Sequence, residues 1–177
     1  MRSPAWNRRR DAARKYQPGR VRLLLVGESP PSEDAYFYFE AASNADPLFE
    51  EVCGVLFEEK PHGDKGPYLK ELRRRGVFLV DAKPDAPRKG EPLGPYVGPL
   101  VLNVEGLAPE KIVILGSEVY GTVYSPMQEA GLPVVDVRVP LPPADGALEF
   151  RQKFRQALVR AELEKLIRPL PASKARD

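Results

Sequence analysis

Four short apolar runs constrain what this chain can fold into: residues 21–26, 77–80, 111–115 and 133–139. Each reads as a buried strand, and three of them stop at Gly27, Asp81 or Gly116. Between them lie stretches with helical spacing. Strands that alternate with helices predict an α/β fold, with a largely parallel four-stranded sheet and right-handed crossovers. In such sheets ligands sit outside the carboxyl ends of the strands. The loops leaving those ends therefore hold the candidate chemistry.

The helical stretches have their own punctuation. Residues 47–59 place Leu48, Val52, Val55 and Leu56 on one face, with Pro47 in the first turn. Residues 67–75 form a second helix closed by Gly76, and residues 97–107 a third before Pro109. Ser117 is placed to cap a helix that runs to Ala130 and stops at Gly131. Residues 147–167 read as one long amphipathic helix, and the proline-rich and charged stretch 82–95 as a loop.

With 177 residues the chain fits one domain over 20–168, preceded by a basic arm or short helix at 1–19 and followed by a tail at 169–177. The net charge of +2 hides an asymmetry. Residues 1–22 carry eight Lys/Arg and one acid, and residues 151–177 carry eight and three. The middle holds eleven basic and twenty-one acidic residues. Basic ends suit a phosphate backbone, or only water. No apolar run approaches the length of a membrane span, and no hydrophobic segment follows the basic N-terminus, so neither a membrane partner nor a secretory signal is expected. The single cysteine, Cys53, cannot form an internal disulfide and fits a reducing cytoplasm. The 20 prolines hint at a heat-adapted source.

Glu28 is the leading candidate for chemistry. A carboxylate at the end of a buried strand can orient and partly deprotonate a water, and it can equally serve as a capping or salt-bridging glutamate. The aromatic run Tyr36-Phe37-Tyr38-Phe39 offers rings to stack on a nucleobase, set against ordinary core packing. Four rings in a row cannot all point inward. Asp81 ends the second strand as Glu28 ends the first, and Lys83 and Arg88 in the loop beyond suit phosphate or solvent. One histidine, His62, and one cysteine argue against a zinc site or an iron–sulfur cluster. Neither a dinucleotide fingerprint nor a P-loop is present, and no cofactor is expected.

Taken in order, these segments resemble the uracil-DNA glycosylase superfamily over about residues 20–160. Gly27-Glu28-Ser29-Pro30 is similar to the motif after the first strand that positions the hydrolytic water. That match gives Glu28 the catalytic place and Gly27, Ser29 and Pro30 the surrounding loop. Phe39, with Asn44 five residues on, resembles the Phe…Asn spacing of the mismatch-specific branch, which implies that Phe39 stacks on the extruded base. Residues 76–81, Gly-Val-Phe-Leu-Val-Asp, resemble a segment whose last residue is an asparagine that reads the base edge; Asp81 stands in its place. The stretch 107–116 looks like the superfamily's third strand. Leu141-Pro142-Pro143 falls where the last motif begins with His-Pro, and there the histidine is absent. The resemblance implies a three-layer sandwich around the four-stranded sheet and an N-glycosidic hydrolase acting on a damaged or mispaired base in DNA, hence a role in DNA repair. The Asp81 side chain, Lys83, Pro142 and Pro143 complete the expected site.

The missing histidine favours an alternative, a non-catalytic protein on the same fold that binds nucleic acid or a nucleotide. A hydrolase for another small substrate is a third reading. An ionised Asp81 offers acceptors only, which suits two adjacent donors such as the guanine N1–H and N2–H edge better than uracil.

Overall fold

Leu23, Leu24, Leu25 and Val26 are wholly buried, because the strand they form lies at the centre of the sheet. The computed structural model describes residues 3–41, 46–143 and 147–172. The sheet has three parallel strands in the order β2-β1-β3: β1 (Leu23–Gly27), β2 (Val77–Asp81) and β3 (Lys111–Ile114). Among the described residues six α-helices accompany it, with a short 3-10 turn at Glu164–Leu166: α1 (Pro4–Lys15), α2 (Pro47–Phe57), α3 (Gly66–Arg74), α4 (Gly94–Leu107), α5 (Ser117–Glu129) and α6 (Leu148–Arg160). The class is α/β, as the alternation of runs predicts. None of these helices is long and apolar enough to cross a membrane.

The fourth run differs from its expectation. Residues 133–139 meet β3 through two isolated parallel bridges, Ile112 with Val134 and Leu115 with Val139, instead of a continuous ladder. The Val137 N–H turns to Val135 O and the Val134 N–H to Leu132 O, so local bonds consume the donors a ladder needs. Pro133 and Pro140 have no N–H to give. Val135, Val137 and Val139 are still buried, alternating with exposed Asp136 and Arg138.

Helix ends follow local chemistry. Asp46 caps α2, its Oδ1 accepting from the Phe49 N–H at 3.0 Å, with Pro47 in the first turn. Gly76 closes α3 at φ 76°, where Arg20 O lies 2.9 Å from the place a Cβ would take. The cap of α5 is Gly116, with no side-chain hydrogen bond, so Ser117 does not act as the cap. The last helix ends at Arg160, shorter than its amphipathic pattern, and Glu162 then turns left-handed at φ 59°. Before β1 the chain forms the short helix α1, which buries Arg9, and Tyr16 just beyond it is buried too.

Two buried groups fasten the frame. The Tyr38 hydroxyl accepts from the Leu79 N–H at 2.6 Å and donates to Leu79 O at 3.1 Å. It thereby satisfies the open side of edge strand β2 and ties the aromatic loop to it. Arg75, fully buried, donates to Glu71, Leu56 O, Leu166 O, Arg168 O and Pro169 O. One guanidinium thus joins α2, α3 and the C-terminal segment.

Candidate functional site

The parallel register pairs Gly27 with Asp81, so the last residues of β1 and β2 stand side by side. The pairing continues past the strands: the Ala82 N–H reaches Gly27 O at 2.9 Å and the Lys83 N–H reaches Glu28 O at 2.7 Å. A Cβ on Gly27 would lie 2.7 Å from Asp81 Oδ1. Glycine at this position is what leaves room for the Asp81 carboxyl.

A cavity of about 320 Å³ opens at these strand ends. Gly27, Glu28 and Ser29 enter it from β1 and its loop, and Leu79 and Asp81 from β2. Tyr36 and Phe37 bring aromatic surface, and Asp46, Pro47 and Leu48 bring the start of α2. Leu141 and Pro142 line it as well.

The electrostatics centre on Asp81. Burial pushes its carboxyl from 3.8 up to about 7; the nearby charges of Asp46 and Glu28 act in the same direction, and Arg9 opposes them. Asp81 is thus half protonated near neutral pH. The Tyr36 phenol is pushed well above its ordinary value, first by burial and then by the Asp81 charge, so it stays neutral. Asp46 is held differently. Its Oδ2 accepts from Lys65 Nζ at 3.1 Å, and the same ammonium donates to Tyr36 O and Phe37 O at 3.1 Å. Lys65 is buried and lies 4.3 Å from the centre of the Phe49 ring. This one cation fixes the aromatic loop against α2, and so sets that wall of the cavity.

Glu28 is partly buried and its Oε1 stands 3.4 Å from the buried Lys83 Nζ, which also donates to Glu91 O at 2.8 Å. The contact orients the Glu28 carboxylate, and it is also the salt bridge that a structural glutamate would make.

Of the residues singled out from sequence, Gly27, Glu28, Ser29, Asp81 and Pro142 share this cavity. Pro30 and Lys83 line an adjoining trench instead. Phe39 lines neither; its ring packs edge-on against Tyr36 at 5.4 Å between centroids. Pro143 is exposed and lines neither. Asn44 lies outside the described residues. His62 is exposed and away from the cavity. Sequence reasoning missed Asp46 and Lys65. The pair Asp46-Pro47 is a readable helix start, but nothing in the sequence announces that Lys65 returns to it.

Among the described residues no group of three or more His, Cys, Asp or Glu side chains is arranged to hold a metal ion. Comparison with protein-family models, with curated proteins and with solved structures finds no significant match to this chain.

Proposed function

We propose that the cavity takes a nucleobase and that the protein is a uracil-DNA-glycosylase-like hydrolase of the N-glycosidic bond of a damaged or mispaired base in DNA. The observation that carries the reading is the Gly27–Asp81 register, which opens the candidate water-holding carboxylate of Glu28 and the edge-reading acid Asp81 into one cavity beside the Tyr36 and Phe37 rings. In this mechanism the base swings out of its strand to enter the cavity. Tyr36 or Phe37 stacks on it, Asp81 meets its hydrogen-bonding edge, and Glu28 holds and deprotonates the attacking water. The departing base carries negative charge. Without an imidazole, protonated Asp81 is the group that can donate to it.

The raised Asp81 carboxyl changes the expected base preference. Protonated, it offers one donor with an acceptor, as an amide does, and complements uracil. Ionised, it offers acceptors only and complements the guanine edge. Selectivity on this reading crosses over near pH 7.

The finer architecture belongs to the same proposal, in which residues 133–139 are the fourth strand of a three-layer sandwich. Their two bridges to β3 and alternating burial support it. So does handedness: right-handed crossovers from β1 to β2 and from β2 to β3 run in opposite directions and put their helices on opposite faces. Helix α4 packs with α5, and α2 with α6, as that arrangement requires.

A second reading, a binding protein without catalysis, is favoured by the absence of an imidazole from the cavity and by the Glu28–Lys83 contact. Oligonucleotides carrying uracil, hypoxanthine, xanthine or a mismatch separate the two when assayed for abasic sites. The hydrolase yields abasic sites with one of them, and Glu28→Gln lowers the rate by about 100-fold or more. Cleavage unaffected by Glu28→Gln rejects the mechanism, and no cleavage on any substrate favours the binding protein.

A further inference from the structure

The larger depression on this protein is a trench of about 1080 Å³ between α1 and α4, floored by the end of β2 and the loop after it. Its two walls differ in kind. Helix α1 presents Trp6, Arg9, Arg10 and Arg14, spaced three, four and eight residues from the tryptophan and so on one face. Helix α4 presents Tyr96, Pro99, Leu102 and Asn103, none of them charged. Leu102 is 69% exposed and adds apolar surface to that wall.

The cations are not all neutralised. Arg14 and Arg88 are exposed, and among the described residues their side chains enter no ion pair or hydrogen bond. Arg9 is 3% exposed; its Nη2 donates to Pro84 O at 3.0 Å and to Asp85 at 2.6 Å, while its buried Nε and Nη1 have no acceptor. Buried donors without partners are rare because they give up water and gain nothing. The acids lining the trench are Asp85, engaged by Arg9, and Asp81.

We propose that this trench is a second binding site, which holds a single nucleic-acid strand with its phosphates along α1 and Arg88 and its bases against α4. A cationic wall facing an uncharged wall with a ring and an exposed leucine matches the two surfaces of an unpaired strand. A duplex fits the surroundings less well, since the middle of the chain holds twenty-one acids against eleven bases and would repel a broad backbone face. Tyr36, Leu79 and Asp81 line both trench and cavity, so a strand in the trench passes the cavity mouth. Delivery of a base to the cavity rests on the function proposed above; the phosphate contacts do not.

Trp6 is the chain's only tryptophan and lies in the trench, so its fluorescence reports this site alone. Titrating the full chain with a ten-residue oligothymidylate is expected to change the Trp6 emission saturably. Affinity should fall with salt, with a log–log slope of about −0.7 per phosphate held. Arg14→Glu and Arg88→Glu, both at exposed positions, should each weaken binding by about tenfold and flatten that slope by about 0.7. Leu48→Phe, which fills the cavity, should leave the Trp6 titration unchanged while abolishing nucleoside binding. A failed cavity reading thus leaves the trench result standing. Absence of a Trp6 response at low salt overturns the proposal, as does a salt slope that neither reversal alters. Thymidine monophosphate saturating at the same concentration as the oligomer overturns the strand in favour of a one-phosphate site.

Discussion

The cavity and the trench share Asp81, Tyr36 and Leu79, yet their surroundings differ in every respect that decides a ligand. Three carboxylates, Glu28, Asp46 and Asp81, line the cavity with rings and aliphatic groups, and the two ammoniums beside it are already engaged, Lys65 by Asp46 and two carbonyls and Lys83 by Glu28 and Glu91 O. The trench has arginines along one wall and almost no acid left unpaired. On the proposed reading the cavity suits a neutral ring with hydrogen-bond donors, and the trench an anion. One strand end thus borders two depressions of different character. Residue 81 faces the cavity and the helix preceding β1 supplies the opposite charge next door.

The largest expected effect breaks the cavity side. Lys65→Met leaves Asp46 buried without its cation and frees the Tyr36 and Phe37 carbonyls. Removing one member of a buried pair costs about 3–5 kcal/mol, read as a lower urea midpoint. Gly27→Ala comes next. Its new Cβ meets Asp81 Oδ1 at 2.7 Å, so the carboxyl must move. A cost of about 1–3 kcal/mol and at least a tenfold loss of nucleoside affinity are expected, with the trench titration unchanged.

Asp81 itself gives a smaller effect with a defined sign. Its carboxyl lies at about 7 in the fold against 3.8 ordinarily, so the folded protein holds more protons between those values. Stability from this group is full below about pH 4, falls as pH rises to about 7, and stays lost above. Asp81→Asn should therefore raise stability by about 2 kcal/mol at pH 8 and leave it unchanged at pH 4 in urea titrations. An unchanged pH profile in the variant would show that Asp81 is not buried with its charge. The smallest effect is expected at Arg14→Glu, an exposed site where the urea midpoint should move by no more than about 0.5 kcal/mol even as strand binding weakens.

What the sequence makes legible follows from how local each signal is. Gly27, Glu28 and Asp81 stand where apolar runs stop, and that local pattern is enough to put them at strand ends. Their adjacency is not local: it depends on β2 lying beside β1 in a register no spacing records. The aromatic run shows the same limit. Residues 36–39 form neither helix nor strand, so no period says which ring faces inward; Tyr36 and Phe37 line the cavity, Tyr38 bonds to Leu79, and Phe39 packs on Tyr36. In Arg8-Arg9-Arg10 three identical residues have three fates, exposed, buried and partly buried, decided by how α1 docks. At 133–139 the alternation of valines is real, but local hydrogen bonds and flanking prolines keep it from completing a ladder.

Nucleoside binding measured against pH tests the central claim most directly, because it reads Asp81 inside the cavity. Calorimetric titrations with uridine and guanosine at pH 6 and pH 8.5 should show uridine favoured at the lower pH and guanosine at the higher, with the crossover lost in Asp81→Asn. Binding of neither nucleoside, or a preference that stays the same at both pH values in the unsubstituted protein, would contradict the account.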